Sequence, residues 1–254
     1  MESILYAENL TRVFSRKGQQ ELVAVDHVSF ELFPGECLGI IGESGSGKST
    51  IAGLVTRLID PTEGRIVLEG RDITTLRGKE LRDIYKTIQL VFQTPAESFD
   101  PRCSLGDGIG ESLVNSGMRR SEAGREVERL LDECGLDKSF AGKYPFEVSG
   151  GQCQRAAIAR ALAIKPKVLV CDEATSSLDV TIQKDIMELL MELRKKKGND
   201  LSILFICHDI ALVQQFCDRV LVMCHGRVAE EGIPDDIVRN PGNEYTKRLI
   251  ESIL

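Results

Sequence analysis

Residues Gly42 to Thr50 have the types and spacing of a phosphate-binding loop. They fit G-x4-G-K-[ST], and they lie between a predicted strand over 37–41 and a predicted helix over 48–58. Glycines allow backbone N–H groups to face phosphate oxygens, and the helix N-terminus adds partial positive charge. Lys48 is expected to reach the β- and γ-phosphates, and the Ser49 hydroxyl to bind Mg²⁺. The candidate nucleotide contacts are Gly42, Glu43, Ser44, Gly45, Ser46, Gly47, Lys48, Ser49 and Thr50.

Two carboxylates, Asp172 and Glu173, follow the apolar run over 168–171. Ligands of open α/β sheets bind at the carboxyl ends of strands, where this pair is predicted to lie. Asp172 is then a candidate Mg²⁺ ligand, and Glu173 a candidate to orient and polarise an attacking water. Alternatively, the pair only stabilises the N-terminus of a helix through its dipole.

A second candidate anion site precedes the helix that is predicted to run to Ala163. Ser149 is suited to cap this helix, and Gln152 completes a capping box. Gly150 and Gly151 are not needed for capping, and they clear side chains from a helix N-terminus, which suits an anion. The local pattern fits a capped helix and an anion site equally well.

Apolar strands alternate with helical patterns along the chain, which predicts an α/β fold with a mainly parallel sheet. Residues 95–148 show helix-like spacing and no convincing strand, so they are predicted to form an inserted helical subdomain. The predicted strands cover 3–9, 22–32, 37–41, 65–68, 88–92, 167–171, 202–206 and 219–224, with 227–231 completing a hairpin. Further helices are predicted over 181–197, 209–217 and 243–253.

Composition, net charge and cysteine spacing exclude several classes of protein. The 254 residues are 42% hydrophobic and carry a net charge of −7, which is typical of a folded domain and argues against strong nucleic-acid binding. No secretory signal is visible, and the longest apolar runs are too short to cross a membrane. The eight cysteines form no C-x-x-C pair, so we expect mainly reduced, buried thiols in a cytosolic protein.

Six motifs in order resemble those of the ATP-binding cassette (ABC) ATPases, and the resemblance covers essentially the whole chain. They are the phosphate loop, Gln93, the Val148–Gln152 signature, Cys171–Glu173, Ser176–Asp179 and His208–Asp209. Val148 replaces the leucine that is usual in the signature. The resemblance implies a P-loop NTPase core, an N-terminal antiparallel β subdomain and an inserted helical subdomain. It also implies one ABC ATPase domain over 1–254, with 1–94 and 164–254 as the nucleotide-binding core and 95–163 as the helical signature subdomain.

The same resemblance implies roles for single residues. Phe14 would stack on adenine, although a phenylalanine here suits a core or turn almost as well. Gln93 would touch Mg²⁺ and the water and sense a transmembrane partner, and Asp179 would lie at a dimer interface. His208 would contact the γ-phosphate and join Lys48 and Glu173 as a catalytic residue.

A narrower resemblance points to the ATPases of peptide, opine and nickel importers. Gln93–Arg102 resembles their QDPxxSLNPR segment, with departures at Thr94, Phe99 and Asp100, and Tyr144–Glu147 and Tyr245–Thr246 resemble two further motifs. These proteins often continue into a cysteine-bearing tail; since this sequence stops at Leu254, no tail iron–sulfur cluster is expected.

The implied function is hydrolysis of ATP, with Mg²⁺, to power import of a di- or oligopeptide, nickel or a related small solute. Its partners would be a second ABC ATPase subunit (a paralogue or a second copy), two transmembrane permease subunits and, indirectly, a substrate-binding protein. Each ATP would lie between the phosphate loop of one subunit and Ser149–Gln152 of the other. The location would be peripheral, at the cytoplasmic face of the cell membrane.

Other functions explain fewer of these motifs. A soluble ABC ATPase that acts on nucleic acid or ribosomes is the alternative, and the basic run Arg194–Lys197 is its best support. That run is also suited to a helix C-terminus, where the dipole favours cations. A P-loop kinase would leave the signature and His208 unexplained, and a catalytically silent regulatory ATPase would need neither Glu173 nor His208.

Overall fold

The computed structural model describes residues 2–15, 21–174 and 179–252. The strands are β1 (Leu5–Phe14), β2 (Leu22–Leu32), β3 (Cys37–Ile41), β4 (Glu63–Leu68), β5 (Arg71–Asp72), β6 (Ile88–Val91), β7 (Val168–Asp172), β8 (Ser202–Ile206), β9 (Arg219–Cys224) and β10 (Arg227–Gly232). The helices are α1 (Lys48–Val55), α2 (Gly78–Ile84), α3 (Leu105–Asn115), α4 (Arg120–Glu133), α5 (Gly150–Leu162), α6 (Val180–Lys197), α7 (Ile210–Phe216), α8 (Pro234–Arg239) and α9 (Glu244–Glu251). Ser176, Ser177 and Leu178 of the predicted interface motif lie outside the described residues.

The main sheet has the strand order β10-β9-β3-β8-β7-β6. Strands β9, β3, β8, β7 and β6 pair in parallel, and β10 is antiparallel to β9. The mainly parallel sheet is therefore confirmed. Because parallel strands end at one edge, the segments that follow β3, β6, β7 and β8 meet there.

A second sheet is antiparallel and has the order β2-β1-β4-β5. Strand β1 pairs with β2 from Leu5↔Leu32 to Phe14↔Leu22 and with β4 on its other side. This sheet is the N-terminal β subdomain implied by the resemblance, so that part of the fold class is confirmed.

Side chains of the main sheet alternate between two apolar cores. In β7, Val168 and Val170 face a core shared with α1 and the antiparallel sheet, whereas Leu169 and Cys171 face a core shared with α3 to α6. All four are fully buried, as expected for a parallel strand with both faces covered.

The segment over 95–148 is helical and contains no strand, as predicted. Helices α3 and α4 pack on α5. Val127, Leu130, Leu131 and Cys134, whose spacing indicated a helix, are all buried. The start of α5, and therefore Ser149, follows this helical segment, whereas the other motifs follow strands of the main sheet.

Several predicted boundaries were wrong. Strand β1 runs to Phe14 rather than residue 9 because pairing with β2 continues to the strand's end. Helix α1 ends at Val55 rather than residue 58, since Arg57 adopts a left-handed backbone with φ of 57°. Helices α2 and α8 and strand β5 were not predicted. They are only 7, 6 and 2 residues long, too short for a clear periodicity.

No helix within the described ranges combines the length and the apolar character needed to cross a bilayer. All eight cysteine thiols are free, and only Cys103 is exposed. Burial raises the pKa of Cys134 and of Cys207, each to about 12, so these thiols stay protonated at neutral pH.

Candidate functional site

Four predicted site segments meet at the carboxyl edge of the main sheet. The phosphate loop follows β3, Gln93 follows β6, Asp172 and Glu173 close β7, and His208 follows β8. The register sets Cys171 opposite both Val91 and Phe205 on its two neighbours, so the polar residues emerge at one level. The site is built by strand register, since its residues are far apart in the sequence.

Two glycines of the phosphate loop are required by close backbone contacts. A Cβ at Gly47, where φ is 103°, would lie 2.3 Å from the Ala24 carbonyl oxygen, and one at Gly42 would lie 2.3 Å from that of Met223. Gly47 caps α1 without a side chain, so the first N–H groups of α1 are not bonded by a cap side chain. Ser44 and Gly45 are exposed, whereas Ser46 is buried. The loop is a backbone cradle that suits phosphate.

Lys48 is the first residue of α1, and its side chain returns across the loop. Its Nζ donates to the carbonyl oxygens of Gly42 at 2.8 Å and Glu43 at 2.9 Å. The residue is only 4% exposed, and this burial lowers the pKa of its ammonium. The nearby carboxylates of Glu173 and Asp172 act in the opposite direction. The loop therefore encloses a positive charge.

Ser49 and Asp172 form an oxygen pair next to the lysine. The Ser49 hydroxyl donates to Asp172 Oδ1 at 2.9 Å, although the residues are 123 positions apart. Burial raises the pKa of Asp172, and the neighbouring Glu173 acts in the same direction, partly offset by Ser49 and Lys48. A hydroxyl and a desolvated carboxylate are suitable ligands for Mg²⁺, which prefers one or two carboxylates together with substrate phosphates. These residues fit the metal.

Glu173 and Gln93 form a second contact at this edge. Gln93 Nε2 donates to Glu173 Oε2 at 2.9 Å. Glu173 has a left-handed backbone with φ of 46°, which is strained for a residue with a side chain. Its N–H donates to the Ile206 carbonyl at 2.9 Å, which ties the turn to β8. The strained turn therefore keeps the Glu173 carboxylate beside Gln93.

The capping box predicted for Ser149 and Gln152 is confirmed. Gln152 N donates to Ser149 Oγ at 3.3 Å, and Ser149 N donates to Gln152 Oε1 at 3.0 Å. Gly151 has a packing reason that is independent of any anion, because a Cβ there would lie 2.7 Å from Ile182 Cγ2. Close packing of α5 on α6 therefore explains Gly151, and the prediction of a cleared anion site rests on the exposed Gly150.

The remaining predicted residues lie at the ends of secondary-structure elements. Phe14 is half-buried at the end of β1, with the Arg12 guanidinium 4.6 Å from its ring centroid. Asp179 caps α6 by accepting from Ile182 N at 3.0 Å. His208 is exposed, two residues beyond the end of β8.

One contact at the phosphate loop was not predicted. Glu43 N donates to the Tyr245 hydroxyl at 3.1 Å, across 202 positions of sequence. In the sequence, Tyr245 is distinguished only by its resemblance to a motif, because no local pattern indicates which element the start of α9 contacts.

Relatives and solved structures agree on one family. A sequence profile described as ABC transporter matches residues 25–176. The glutathione import ATP-binding protein GsiA of Pectobacterium atrosepticum is 43% identical over 259 residues, covering 99% of this chain and 41% of GsiA. The oligopeptide transport ATP-binding protein OppF of Salmonella typhimurium is 41% identical over 234 residues, covering 91% of this chain and 70% of OppF. The chain thus spans less than half of GsiA.

The solved structures include a dimeric, post-hydrolysis state of the ATP-binding cassette MJ0796 with ADP and Pi. It matches with a TM-score of 0.82 and 30% identity, over 91% of this chain and 98% of MJ0796. The profile covers more than half of the chain, and the identity to OppF extends over most of OppF. This chain therefore belongs to the ABC transporter family.

Proposed function

We propose that this chain is the ATP-hydrolysing subunit of an ABC importer. The carrying observation is that Lys48, the Ser49–Asp172 pair and the Gln93–Glu173 pair share one edge of the sheet. These are the groups needed to hold a nucleoside triphosphate, bind its metal and activate water.

In this proposal the reaction converts ATP and water to ADP and phosphate. Backbone N–H groups of the loop and Lys48 hold the β- and γ-phosphates, while Ser49, Asp172 and Gln93 hold Mg²⁺. The metal, when bound, neutralises charge on the phosphate oxygens. Glu173 polarises the attacking water, Gln93 orients that water, and His208 contacts the γ-phosphate. Phe14 stacks on the adenine. The Gln93–Glu173 hydrogen bond supports the pairing of water orientation with water activation.

A complete site in this proposal needs two subunits. Ser149, Gly150, Gly151 and Gln152 of one subunit close over the ATP bound to the loop of the other, and Asp179 lies at the interface. Moving a closed-to-open ratio from 1:99 to 99:1 takes about 5.5 kcal/mol, or roughly 2.7 for each of two nucleotides. One or two charge-assisted hydrogen bonds of about 1.5–3 kcal/mol each are sufficient. The partner is a paralogue or a second copy of this chain.

Two permease subunits would dock in the cleft between the sheet and the helical insertion. This cleft is lined by Leu58, Leu90 and Phe92 on one side and by α3 residues Gly108, Glu111 and Asn115 on the other. Leu58 and Phe92 are 55% and 44% exposed, large for apolar side chains, and Phe92 adjoins Gln93. A permease segment seated there could sense the Gln93 loop.

The proposed cargo class is a di- or oligopeptide, nickel or a related small solute, delivered by a substrate-binding protein. The import ATP-binding proteins GsiA and OppF support this class. The location is then peripheral, at the cytoplasmic face of the cell membrane.

The proposed division of the chain is a nucleotide-binding core over 1–94 and 164–254 and a helical signature subdomain over 95–163. The relatives favour this reading over a nucleic-acid or ribosome-associated ATPase.

The test compares Glu173→Gln and Lys48→Ala with wild type. Glu173→Gln should bind ATP normally, lose turnover by about 100-fold or more and accumulate as an ATP-dependent dimer on size exclusion. Lys48→Ala should lose ATP affinity by calorimetry, because it lacks the buried charge of the loop. Rapid steady-state hydrolysis by Glu173→Gln, or unchanged ATP binding by Lys48→Ala, would contradict the proposal.

A further inference from the structure

A residue of α9, the last described helix, forms a hydrogen bond with the phosphate loop. The Tyr245 hydroxyl accepts the Glu43 N–H at 3.1 Å, and the tyrosine ring packs against the apolar core that contains α7 and α8 residues. A hydroxyl fixed by a packed ring has few alternative positions. Glu43 itself is exposed, and its N–H is bonded to the Tyr245 hydroxyl.

The same stretch of the loop also accepts hydrogen bonds from the buried Lys48 side chain. Lys48 Nζ donates to the carbonyl oxygens of Gly42 and Glu43. The Glu43 residue is thus held through its N–H by Tyr245 and through its C=O by Lys48. A shift of Glu43 would therefore also move the acceptors that set the position of the Lys48 ammonium.

The start of α9 is itself anchored to the main sheet. Asn243 caps the helix by accepting from Tyr245 N at 2.8 Å, and its Nδ2 donates to the Ala229 carbonyl in β10 at 3.1 Å. The Glu230 carboxylate of β10 accepts the N–H groups of Gly242 at 2.7 Å and Asn243 at 3.1 Å. Tyr245 therefore projects from a fixed helix N-terminus, since three hydrogen bonds join the turn before it to β10 and a fourth caps the helix.

We propose that Tyr245 is a positioning residue for ATP binding: its hydroxyl holds Glu43, and thereby α9 sets how well the phosphate loop is prearranged for the nucleotide. This inference rests on the proposed ATPase function. Preorganisation reduces the cost of ordering the loop when the ligand binds, so its loss weakens affinity. The chemical step uses Glu173 and Gln93, which follow β7 and β6 and contact each other, and should be little affected.

The test is calorimetric ATP binding and steady-state kinetics of Tyr245→Phe, which removes only the hydroxyl. One neutral hydrogen bond corresponds to about a two- to ten-fold change, so Kd and KM for ATP should each rise by roughly that factor. The kcat at saturating ATP should stay within about two-fold, because Glu173 and Gln93, which act on the attacking water, are unchanged. A loss of general stability would not produce this split between KM and kcat.

Matched variants locate the effect. Tyr6→Phe, in β1, and Lys247→Ala, on the exposed side of α9, should leave KM at the wild-type value.

Glu230→Gln should also raise KM, as Tyr245→Phe does. The double variant should raise KM by less than the product of the two single-variant fold-changes, because both substitutions act through the same contacts.

The outcomes separate this inference from the proposed function. If wild type binds ATP and Tyr245→Phe binds it equally tightly, the positioning role is wrong while the ATPase proposal stands. An equal loss of kcat and of affinity would assign Tyr245 a different role and also overturn the inference. If wild type itself does not bind ATP, both proposals fall.

Discussion

Single charged groups at the sheet edge are held in surroundings that disfavour their charge. Lys48 is almost completely buried and Asp172 is half-buried. Burial lowers the pKa of Lys48 and raises the pKa of Asp172, so it favours the neutral form of each. Their mutual attraction offsets part of this cost. These charged groups therefore make the ligand-free fold less stable than neutral groups would. In the proposed function, phosphate and metal would complete the charge balance and recover this cost.

Asp172→Asn should therefore stabilise the nucleotide-free protein while removing activity. The raised pKa of Asp172 means that the folded state holds this proton more tightly than the unfolded chain. Stability consequently falls as pH rises from the ordinary carboxyl pKa, about 3.9, through the raised value, and the cost is present at neutral pH. The variant should melt at a higher temperature than wild type at pH 7, and the difference should shrink as pH is lowered.

The measurement is thermal unfolding across pH without nucleotide, together with ATPase assays in Mg²⁺. Turnover should fall by about 100-fold or more, because the proposed metal ligand is lost. Asp132→Asn, which replaces an exposed carboxylate in α4, is the control and should change neither quantity. A lower melting temperature for Asp172→Asn at pH 7 would show that the carboxylate stabilises the fold instead.

At the scale of elements, α5 combines a structural cap with a candidate ligand contact. Its capping box satisfies the helix N-terminus, and Gly151 allows α5 to approach α6 closely. Helix α3 offers a matched case, since Ser104 Oγ caps it by accepting from Asp107 N at 3.1 Å. Both helices belong to the insertion, and α3 carries no predicted site residue.

Ser149→Ala and Ser104→Ala should each lower the free energy of unfolding by about 1 kcal/mol through the lost cap. Only Ser149→Ala should also reduce ATPase activity, by about ten-fold or more, if its hydroxyl contacts the γ-phosphate of the partner's ATP. Urea unfolding and ATPase assays under one set of conditions compare the two. Wild-type turnover by Ser149→Ala, alongside the expected stability loss, would leave Ser149 with the capping role alone.

At the scale of the whole molecule, the two candidate anion sites are carried by different parts of the chain. The phosphate loop follows β3 in the sheet, whereas Ser149 begins α5 in the helical insertion. A head-to-tail dimer would complete both sites at once, because each subunit supplies one half of each.

A mixing experiment distinguishes sites shared between subunits from sites within one subunit. Lys48→Ala and Ser149→Ala variants should each have low ATPase activity alone. In a shared arrangement, half of the randomly formed dimers have one intact site of two, so mixing should restore about a quarter of wild-type activity. The comparison uses equal total protein, and a mixture of wild type with Lys48→Ala serves as the reference. Activity of the variant mixture no higher than the mean of the two variants would exclude the shared arrangement for the self-paired chain.

Local features of this protein could be predicted from its sequence because short-range physics determines them. Strands β2, β3 and β8 have the predicted bounds, since alternation or continuous apolar character is visible within one segment. The capping box of α5 needs only Ser149 and Gln152, one turn apart. The predicted family is confirmed, whereas the roles given to Phe14, Asp179 and His208 stay predictions.

Tertiary structure decided which of these segments touch. The contacts of Ser49 with Asp172, Gln93 with Glu173 and Glu43 with Tyr245 span 123, 80 and 202 positions. Strand order, register and the packing of α9 create them, and no local pattern encodes which residue will lie opposite another. The same holds for Gly151. A glycine is required there because packing brings a side chain of α6 close to its backbone.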